Sequence, residues 1–193
     1  MDFQPTISKE LLQTLPVAAF PGDIRLIDRP DQIEPAVQFL KQQPIIGFDT
    51  ETKPNFSRTA NHTVALLQLA TADVCYLFRL NMIGMPVALV DLLNDTKVLK
   101  IGLSLRDDFR ALSQRAVISQ HGFIDLQLFV KKMGIEETGL TKLFATIFGQ
   151  RISKNKRLSN WEANPLTEAQ QLYAATDAWA CYEIYTHLIQ HDS

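Results

Sequence analysis

Two acidic residues near the end of a strand-like segment have a spacing that suits metal-ion chemistry. In IIGFDTE, residues 45–51, Asp49 and Glu51 stand two positions apart after an apolar run. Side chains two apart on a strand project from the same face, so both carboxylates can bind one ion. Neighbouring carboxylates repel each other unless a cation compensates them, which favours a hard divalent ion. For an isolated motif of this kind, a solvated strand end is the alternative.

A second motif, QLYAATDAWA, combines a phenol with a carboxylate. Tyr173 and Asp177 are four residues apart in a segment with helical periodicity. They therefore lie on one helix face, one turn apart, and the Tyr173 hydroxyl can approach a water held by the Asp177 carboxylate. The alternative is a half-buried tyrosine with a chance acidic neighbour, and only the other acidic motifs weigh against it.

A third motif, KIGLSLRDDFRAL, places two acids where a strand gives way to a helix. Asp107 and Asp108 open the predicted helix. The helix macrodipole favours negative charge at this end, which explains one acid well and both less readily. Arg106, which precedes them, is predicted either to contact a phosphate near the ions or to pair with one of the two acids.

The hydrophobic pattern predicts the elements that position these acids. Strands are predicted at 24–28, 45–51, 64–70, 74–78 and 98–104, with a short apolar stretch at 123–124. Helices are predicted near 31–43, 87–93, 107–114, 126–133, 140–148 and 167–187. The three strands from 45 to 78 form an antiparallel meander, and helices alternate with strands after it. This order predicts an α/β fold with a mixed sheet flanked by helices.

Composition limits the broad class of the protein. With 193 residues, 46% of them hydrophobic, the chain suits one globular domain, predicted at 24–193 after an N-terminal extension, 1–23. The start lacks a signal-peptide block and no run of about twenty apolar residues occurs, so we expect a cytoplasmic, intracellular protein without membrane contact. Cys75 and Cys181 are predicted core residues. No oligomeric state is predicted.

Positive charge is local rather than general. The net charge of −2 does not suit binding of nucleic acid through bulk charge. The stretch QRISKNKR concentrates Lys154, Lys156 and Arg157, which together with Arg106 are the predicted substrate-binding residues; a solvated basic loop is the alternative. Trp161 is predicted either to stack on a base or to be a core residue.

Taken together, the three motifs resemble the DEDD superfamily of 3′→5′ exonucleases, in its tyrosine-containing subgroup, and within it the Werner-syndrome-type exonuclease domain. The resemblance covers about residues 24–190 and includes the whole segments VALLQLATADVCYLF and LSNWEANPLTEAQQLYAATDA. The residues on the family's motifs are Asp49, Glu51, Asp108, Tyr173 and Asp177. The histidine subgroup has its base five residues before the last Asp, where this chain has Leu172.

This resemblance implies a ribonuclease H-like fold and hydrolysis supported by two divalent ions, Mg²⁺ or Mn²⁺. By analogy, Asp49 bridges both ions, and Glu51 and Asp177 complete the site of one of them. Asp108 then holds the other ion through water, and Tyr173 positions the attacking water. A tyrosine of ordinary pKa, about 10, is a poor base at neutral pH, so Tyr173 is expected to be a positioning group.

The expected substrate is the 3′ end of a nucleic acid, with DNA favoured over RNA by the Werner-type resemblance. One alternative is RNA trimming like that of ribonuclease D, whose members usually carry a further helical domain for which this chain leaves no room. Another is a catalytically silent nucleic-acid-binding module. A phosphotransferase of the haloacid-dehalogenase type is disfavoured, because its motif requires Asp where Glu51 stands.

Overall fold

The computed structural model describes residues 3–55 and 62–191, so the outermost residues of the predicted extension and domain lie outside it. The strands are β1 (Val17–Ala18), β2 (Asp23–Ile27), β3 (Ile45–Thr52), β4 (Val64–Ala70), β5 (Val74–Phe78), β6 (Leu99–Gly102), β7 (Phe123–Asp125) and β8 (Arg151–Ile152). The helices are α1 (Lys9–Thr14), α2 (Ile33–Lys41), α3 (Leu80–Ile83), α4 (Val87–Asn94), α5 (Leu105–Leu112), α6 (Leu126–Lys131), α7 (Leu140–Phe148) and α8 (Glu168–His191).

A six-stranded mixed sheet forms the centre of the fold, in the order β2-β5-β4-β3-β6-β7. Strands β3, β4 and β5 pair antiparallel, which confirms the predicted meander. Strands β6 and β7 extend the sheet beyond β3 in parallel, and β2 adds to the other edge parallel to β5. The α/β class with a mixed sheet flanked by helices is therefore confirmed.

Helices cover both faces of this sheet because its strands carry apolar side chains on both sides. On one face, Phe48 packs in a cluster with Val37 of α2 and Leu92 of α4. On the other face, Ala65 of β4 packs against Ala174 and Ala178 of α8. The small alanines let α8 approach the sheet closely, and β3 lies between the two layers. The end of β3 is thus held by packing from both sides.

Several predicted boundaries differ from those in the structure. Strand β2 begins one residue earlier than predicted, and α5 begins at Leu105, before the acid pair. The helix predicted from Asp31 begins at Ile33, because Pro30–Gln32 forms a 3₁₀ turn instead. The Gln32 side chain stabilises that turn by accepting hydrogen bonds from the backbone N–H groups of Asp28 and Arg29.

The last helix, α8, confirms its predicted start and extends past its predicted end. The Thr167 hydroxyl accepts a hydrogen bond from the Gln170 N–H, and the Gln170 side chain accepts one from the Thr167 N–H. These reciprocal bonds form the predicted capping box. The helix continues to His191 rather than to about residue 187, and the buried Leu188 extends its apolar face by another turn.

Burial answers two smaller predictions. Cys75 and Cys181 are both buried and unpaired, as predicted for core residues. Trp161 has 0% exposure, so it is a core residue rather than a surface stacking platform. Among the helices of residues 3–55 and 62–191, none has the length and apolarity to cross a membrane.

Candidate active site

The first two candidate residues lie at the carboxyl end of β3. Asp49 and Glu51 share the face of the sheet that α8 covers, since they are two residues apart on the strand. The register of β3 against β4 shifts between Glu51 and Thr52, which is a β-bulge or similar irregularity. Such a shift redirects side chains and ends regular pairing, and it occurs here directly after the second acid.

Helix α8 brings the third acid to this strand end. A side chain at Gly47 would place its Cβ only 1.9 Å from the Ala178 carbonyl oxygen, so only glycine permits this approach. Ala178 directly follows Asp177, and the close packing carries Asp177 to the acids of β3. One carboxylate oxygen each from Asp49, Glu51 and Asp177 lies within 4.8 Å of the others.

The fourth acid is Asp108, and the structure distinguishes it from its neighbour. Asp108 is partly buried and Asp107 is exposed. The Thr50 hydroxyl, between the two acids of β3, donates a hydrogen bond to Asp108 Oδ1. The structure therefore brings Asp108 to the end of β3 and directs Asp107 to solvent.

The turn that orients α5 is held by Asp125 at the end of β7. Its carboxylate accepts hydrogen bonds from the backbone N–H groups of Ser104 (3.1 Å) and Leu105 (3.0 Å). Ser104 itself has a left-handed conformation, with φ of 59°, which is uncommon for a residue other than glycine. Asp125 thus stabilises the tight turn that places Asp108.

The four carboxylates have raised pKa values. Desolvation by the surrounding protein, and then the negative charges of Asp177 and Asp108, raise the pKa of Glu51 to about 9. Desolvation also raises the pKa of Asp49 well above its usual range, with the other three acids adding to the effect. Desolvation raises the pKa of Asp177 to about 7 and that of Asp108 to about 6. A cluster of hard oxygen donors with this excess of negative charge is consistent with metal binding.

Tyr173 lies beside this cluster. Its hydroxyl is hydrogen-bonded to Asp177, and desolvation, followed by the charges of Asp177 and Glu51, raises its pKa above the usual range. The phenol therefore remains protonated and acts as a donor. Its ring packs on Trp161, with ring centroids 5.9 Å apart, so the side chain has a fixed position.

The four predicted basic residues separate into different places. Lys154 and Arg157 line a cavity of about 490 Å³ together with Asp49, Tyr173 and Asp177, which we call the acidic cavity. The positive charges of Lys154 and Arg157 offset part of the desolvation that raises the pKa values of Asp177 and Glu51, respectively. The structure thus brings two of the predicted basic residues to the acids.

Lys156 and Arg106 do not line the acidic cavity. Lys156 borders a second cavity of about 240 Å³. Arg106 borders a third, of about 330 Å³, beside Phe109 and Phe123. In the part of the chain that the structure describes, Arg106 forms no ion pair with Asp107 or Asp108.

Sequence reasoning missed residues that hold the site residues or the segments around them. The sequence motifs do not mark Thr50, which lies between the two acids of β3 and bonds to Asp108. They also do not mark Asp125, which follows an apolar pair and caps α6 by accepting from the Gln127 N–H. Glu162 accepts from Lys53 Nζ at 3.3 Å and contacts His62 Nδ1 at 2.8 Å. These two contacts join Lys53 and His62, at the two ends of the β3–β4 connection, to the segment before α8. No short-range motif indicates them.

The raised pKa values predict how stability depends on pH without metal ions. Between about pH 4 and pH 9 the folded state keeps protons that the unfolded chain has released, so stability should fall as pH rises through this window. Mg²⁺ in excess should reverse the loss, raising Tm at pH 8 by about 5 °C or more at roughly 100 times the dissociation constant. The increase should be much smaller at pH 5. Thermal unfolding at pH 5 and pH 8, with EDTA or with Mg²⁺, measures this rise in Tm. An equal rise at both pH values would contradict competition between protons and Mg²⁺ for these carboxylates.

The sequence is similar to known nucleases. The profile of a family described as 3′-5′ exonuclease matches residues 24–191. The chain is 32% identical over 193 residues to the bifunctional 3′-5′ exonuclease/ATP-dependent helicase WRN of Mus musculus, covering 94% of this chain. It spans only 14% of the mouse protein's own length.

Solved structures show the same fold. The Aedes aegypti Nibbler EXO domain matches with a TM-score of 0.81 and 25% identity, over 92% of this chain and 94% of that domain. Escherichia coli RNase D matches with a TM-score of 0.78 and 25% identity, over 87% of this chain and 44% of that protein. These matches confirm the expected ribonuclease H-like fold. By fold, sequence and acidic cluster, the chain belongs to the 3′-5′ exonuclease family, whose members are phosphodiester hydrolases.

Proposed function

We propose that this protein is a metal-dependent 3′→5′ exonuclease of the tyrosine-containing DEDD subgroup that removes nucleotides from DNA 3′ ends. The observation that carries the proposal is the convergence of Asp49, Glu51 and Asp177, with carboxylate oxygens within 4.8 Å of one another. Tyr173 lies one helical turn from Asp177 and is hydrogen-bonded to it. The match of these residues to the motifs of the tyrosine-containing subgroup supports the same assignment.

The donor set suits two hard divalent ions, Mg²⁺ or Mn²⁺, because every candidate ligand is a carboxylate. Asp49, Glu51 and Asp177 would hold one ion, and Asp49 with Asp108 the other. When bound, the ions lower the pKa of the attacking water and neutralise charge on the leaving 3′ oxygen. Positive charge at this site would favour the ionised carboxylates against the desolvation that raises the pKa values of all four acids.

The remaining steps belong to side chains of this chain. The Tyr173 hydroxyl stays protonated, so it orients the attacking water by hydrogen bonding rather than removing its proton. Lys154 and Arg157, which line the acidic cavity, bind the phosphates of the substrate and orient the scissile bond. Thr50 holds the Asp108 carboxylate in place through its hydroxyl.

DNA is the proposed substrate because the motifs resemble those of the Werner-type domain, and the likeness to mouse WRN supports this choice. RNA is the second candidate, because the matched Escherichia coli RNase D is an exoribonuclease involved in structured RNA processing. Incubation of 5′-labelled DNA and RNA oligonucleotides with Mg²⁺, Mn²⁺ or EDTA tests both. We expect DNA to shorten one nucleotide at a time from its 3′ end with either metal and to stay intact in EDTA. Faster cleavage of RNA would make RNA the substrate in place of DNA. Absence of cleavage of both would refute the proposal.

Tyr173→Phe separates a positioning role from a packing role, since it removes the hydroxyl and keeps the ring against Trp161. Loss of the water-orienting hydrogen bond should lower kcat by roughly 10²-fold. Mg²⁺ binding, followed by calorimetry, should be retained because the carboxylates are unchanged. Tyr185→Phe, on the same helix but in a separate core cluster, is the matched control. Full activity of Tyr173→Phe with saturating metal would show that the tyrosine only packs the core.

Replacing Lys154 and Arg157 with Ala should weaken oligonucleotide binding and flatten its salt dependence. Each lost phosphate contact should reduce the slope of log K against log salt by about 0.7 for a single strand, because fewer counterions are released. Fluorescence anisotropy at several salt concentrations measures the slope. Replacement of Lys131 and Lys132, an exposed basic pair at the end of α6, provides the control. An unchanged slope in the first variant would place the substrate path elsewhere.

A further inference from the structure

A second cavity adjoins the acidic cavity and has a different chemical character. It has a volume of about 240 Å³, and Ser153 and Tyr173 line both cavities. Its other walls include Val17 from the N-terminal segment and Leu172 from α8, with Lys156 beside them. The two cavities are therefore neighbours across the Tyr173 side chain.

Exposed apolar side chains form part of the wall of this second cavity. Val17 is 55% exposed and Leu172 is 39% exposed. Lys156 adds a positive charge to the apolar wall. The Tyr173 ring and the apolar side chains offer contact for a flat base, and the Lys156 cation suits the adjoining phosphate, which is a combination that binds single-stranded nucleic acid.

The walls of the cavity are held together by specific contacts. Strand β1 pairs with β8 in parallel register, with Val17 opposite Arg151, so the N-terminal segment lies beside the basic loop. Two residues beyond β1, the Phe20 N–H donates to the Thr176 hydroxyl of α8 at 3.0 Å. The cavity is thus built by three segments that are distant in sequence, and its N-terminal wall precedes residues 24–191, which match the exonuclease family.

We propose that this second cavity binds a nucleobase of the substrate strand, next to the nucleotide held at the acidic cavity, with Lys156 on the adjoining phosphate. The proposal rests on the proposed function, because the strand must pass the Tyr173 side chain that the two cavities share. It divides the basic loop between two tasks: Lys154 and Arg157 act at the acidic cavity, and Lys156 acts one nucleotide away. The N-terminal segment becomes part of the substrate site.

Val17→Asp tests the proposal by placing a negative charge in the apolar wall at an exposed position. Val117→Asp, the same change at a residue 89% exposed outside the second cavity, is the matched control. Removal of the first nucleotide from single-stranded oligonucleotides is measured as kcat and KM, on intact strands and on strands lacking one base at each of the last few positions. In the wild-type enzyme, we expect KM to rise roughly tenfold when the missing base is the one that would occupy the second cavity. Val17→Asp should have the same high KM on the intact strand and show no further loss when that base is removed.

If Val17→Asp lowers Tm, Leu172→Ala tests the same apolar wall from the helix side. Lys156→Ala should reduce the slope of log K against log salt for oligonucleotide binding, and removal of the base should still raise its KM as in wild type. Wild-type KM values in both Val17→Asp and Leu172→Ala would overturn the proposal. An equal rise in KM on base removal in the wild type and in these variants would also overturn it. Either result with active wild-type enzyme leaves the exonuclease assignment standing. An inactive wild-type enzyme would instead refute the proposed function itself.

Discussion

Asp49→Asn should abolish cleavage of a 5′-labelled strand, with a loss of roughly 10³-fold or more. The amide keeps the shape of the side chain and removes the charge that interacts with Glu51, Asp108 and Asp177 together. Removing one electrostatic donor from an active site costs about 10²–10³-fold elsewhere, and here a central charge is lost. Tight Mg²⁺ binding, measured by calorimetry, should be lost in parallel.

The same substitution should raise stability in EDTA at pH 8, because a neutral amide has neither the desolvation cost of a buried carboxylate nor its repulsion by the other acids. A higher Tm without activity distinguishes loss of the metal site from loss of the fold. Asp91→Asn, at an exposed residue of α4, is the control and should behave as wild type in every measurement. Retained cleavage with normal Mg²⁺ binding in Asp49→Asn would contradict the proposed site.

Asp108→Asn and Asp107→Asn should differ by roughly 10²-fold in kcat although they are adjacent in sequence. Asp108 accepts the hydrogen bond from Thr50 and is partly buried, whereas Asp107 is exposed. A carboxylate that holds an ion through water typically changes affinity or activity by about 10–100-fold when lost. Only the Asp108 variant should therefore need more Mg²⁺ for half-maximal activity.

Thr50→Val provides a second test of this arrangement. It removes the hydroxyl that holds Asp108 and leaves every carboxylate in place, so we expect a smaller loss of activity in the same direction. Full activity in Asp108→Asn together with inactive Asp107→Asn would reverse the assignment. Equal activity of both variants would remove this acid pair from the mechanism.

The local features of the site were predictable from sequence because they depend on short-range periodicity. Asp49 and Glu51 share a strand face, and Tyr173 and Asp177 share a helix face, through spacings of two and four residues. The capping box at Thr167 and the antiparallel meander likewise follow from adjacent residues. The resemblance to the exonuclease family drew on these same motifs.

Tertiary packing decided how these local pairs combine. Asp49 meets Asp177 because Gly47 lets α8 approach β3, and a sequence pattern does not show which helix packs on a glycine. The choice of Asp108 depends on a turn that Asp125 holds from a neighbouring strand. Periodicity predicts which face a residue occupies and not which distant segment covers that face.

The basic residues show the same limit most clearly. Within a few positions of one loop, Lys154 and Arg157 line the acidic cavity, whereas Lys156 lines the neighbouring one. Arg106, adjacent to the acid pair in sequence, lies at a third cavity. A loop without regular periodicity gives no rule for side-chain direction. Charge composition therefore predicted positive density in this loop, and only the packing of β1, β8 and α8 determined where each of its charges lies.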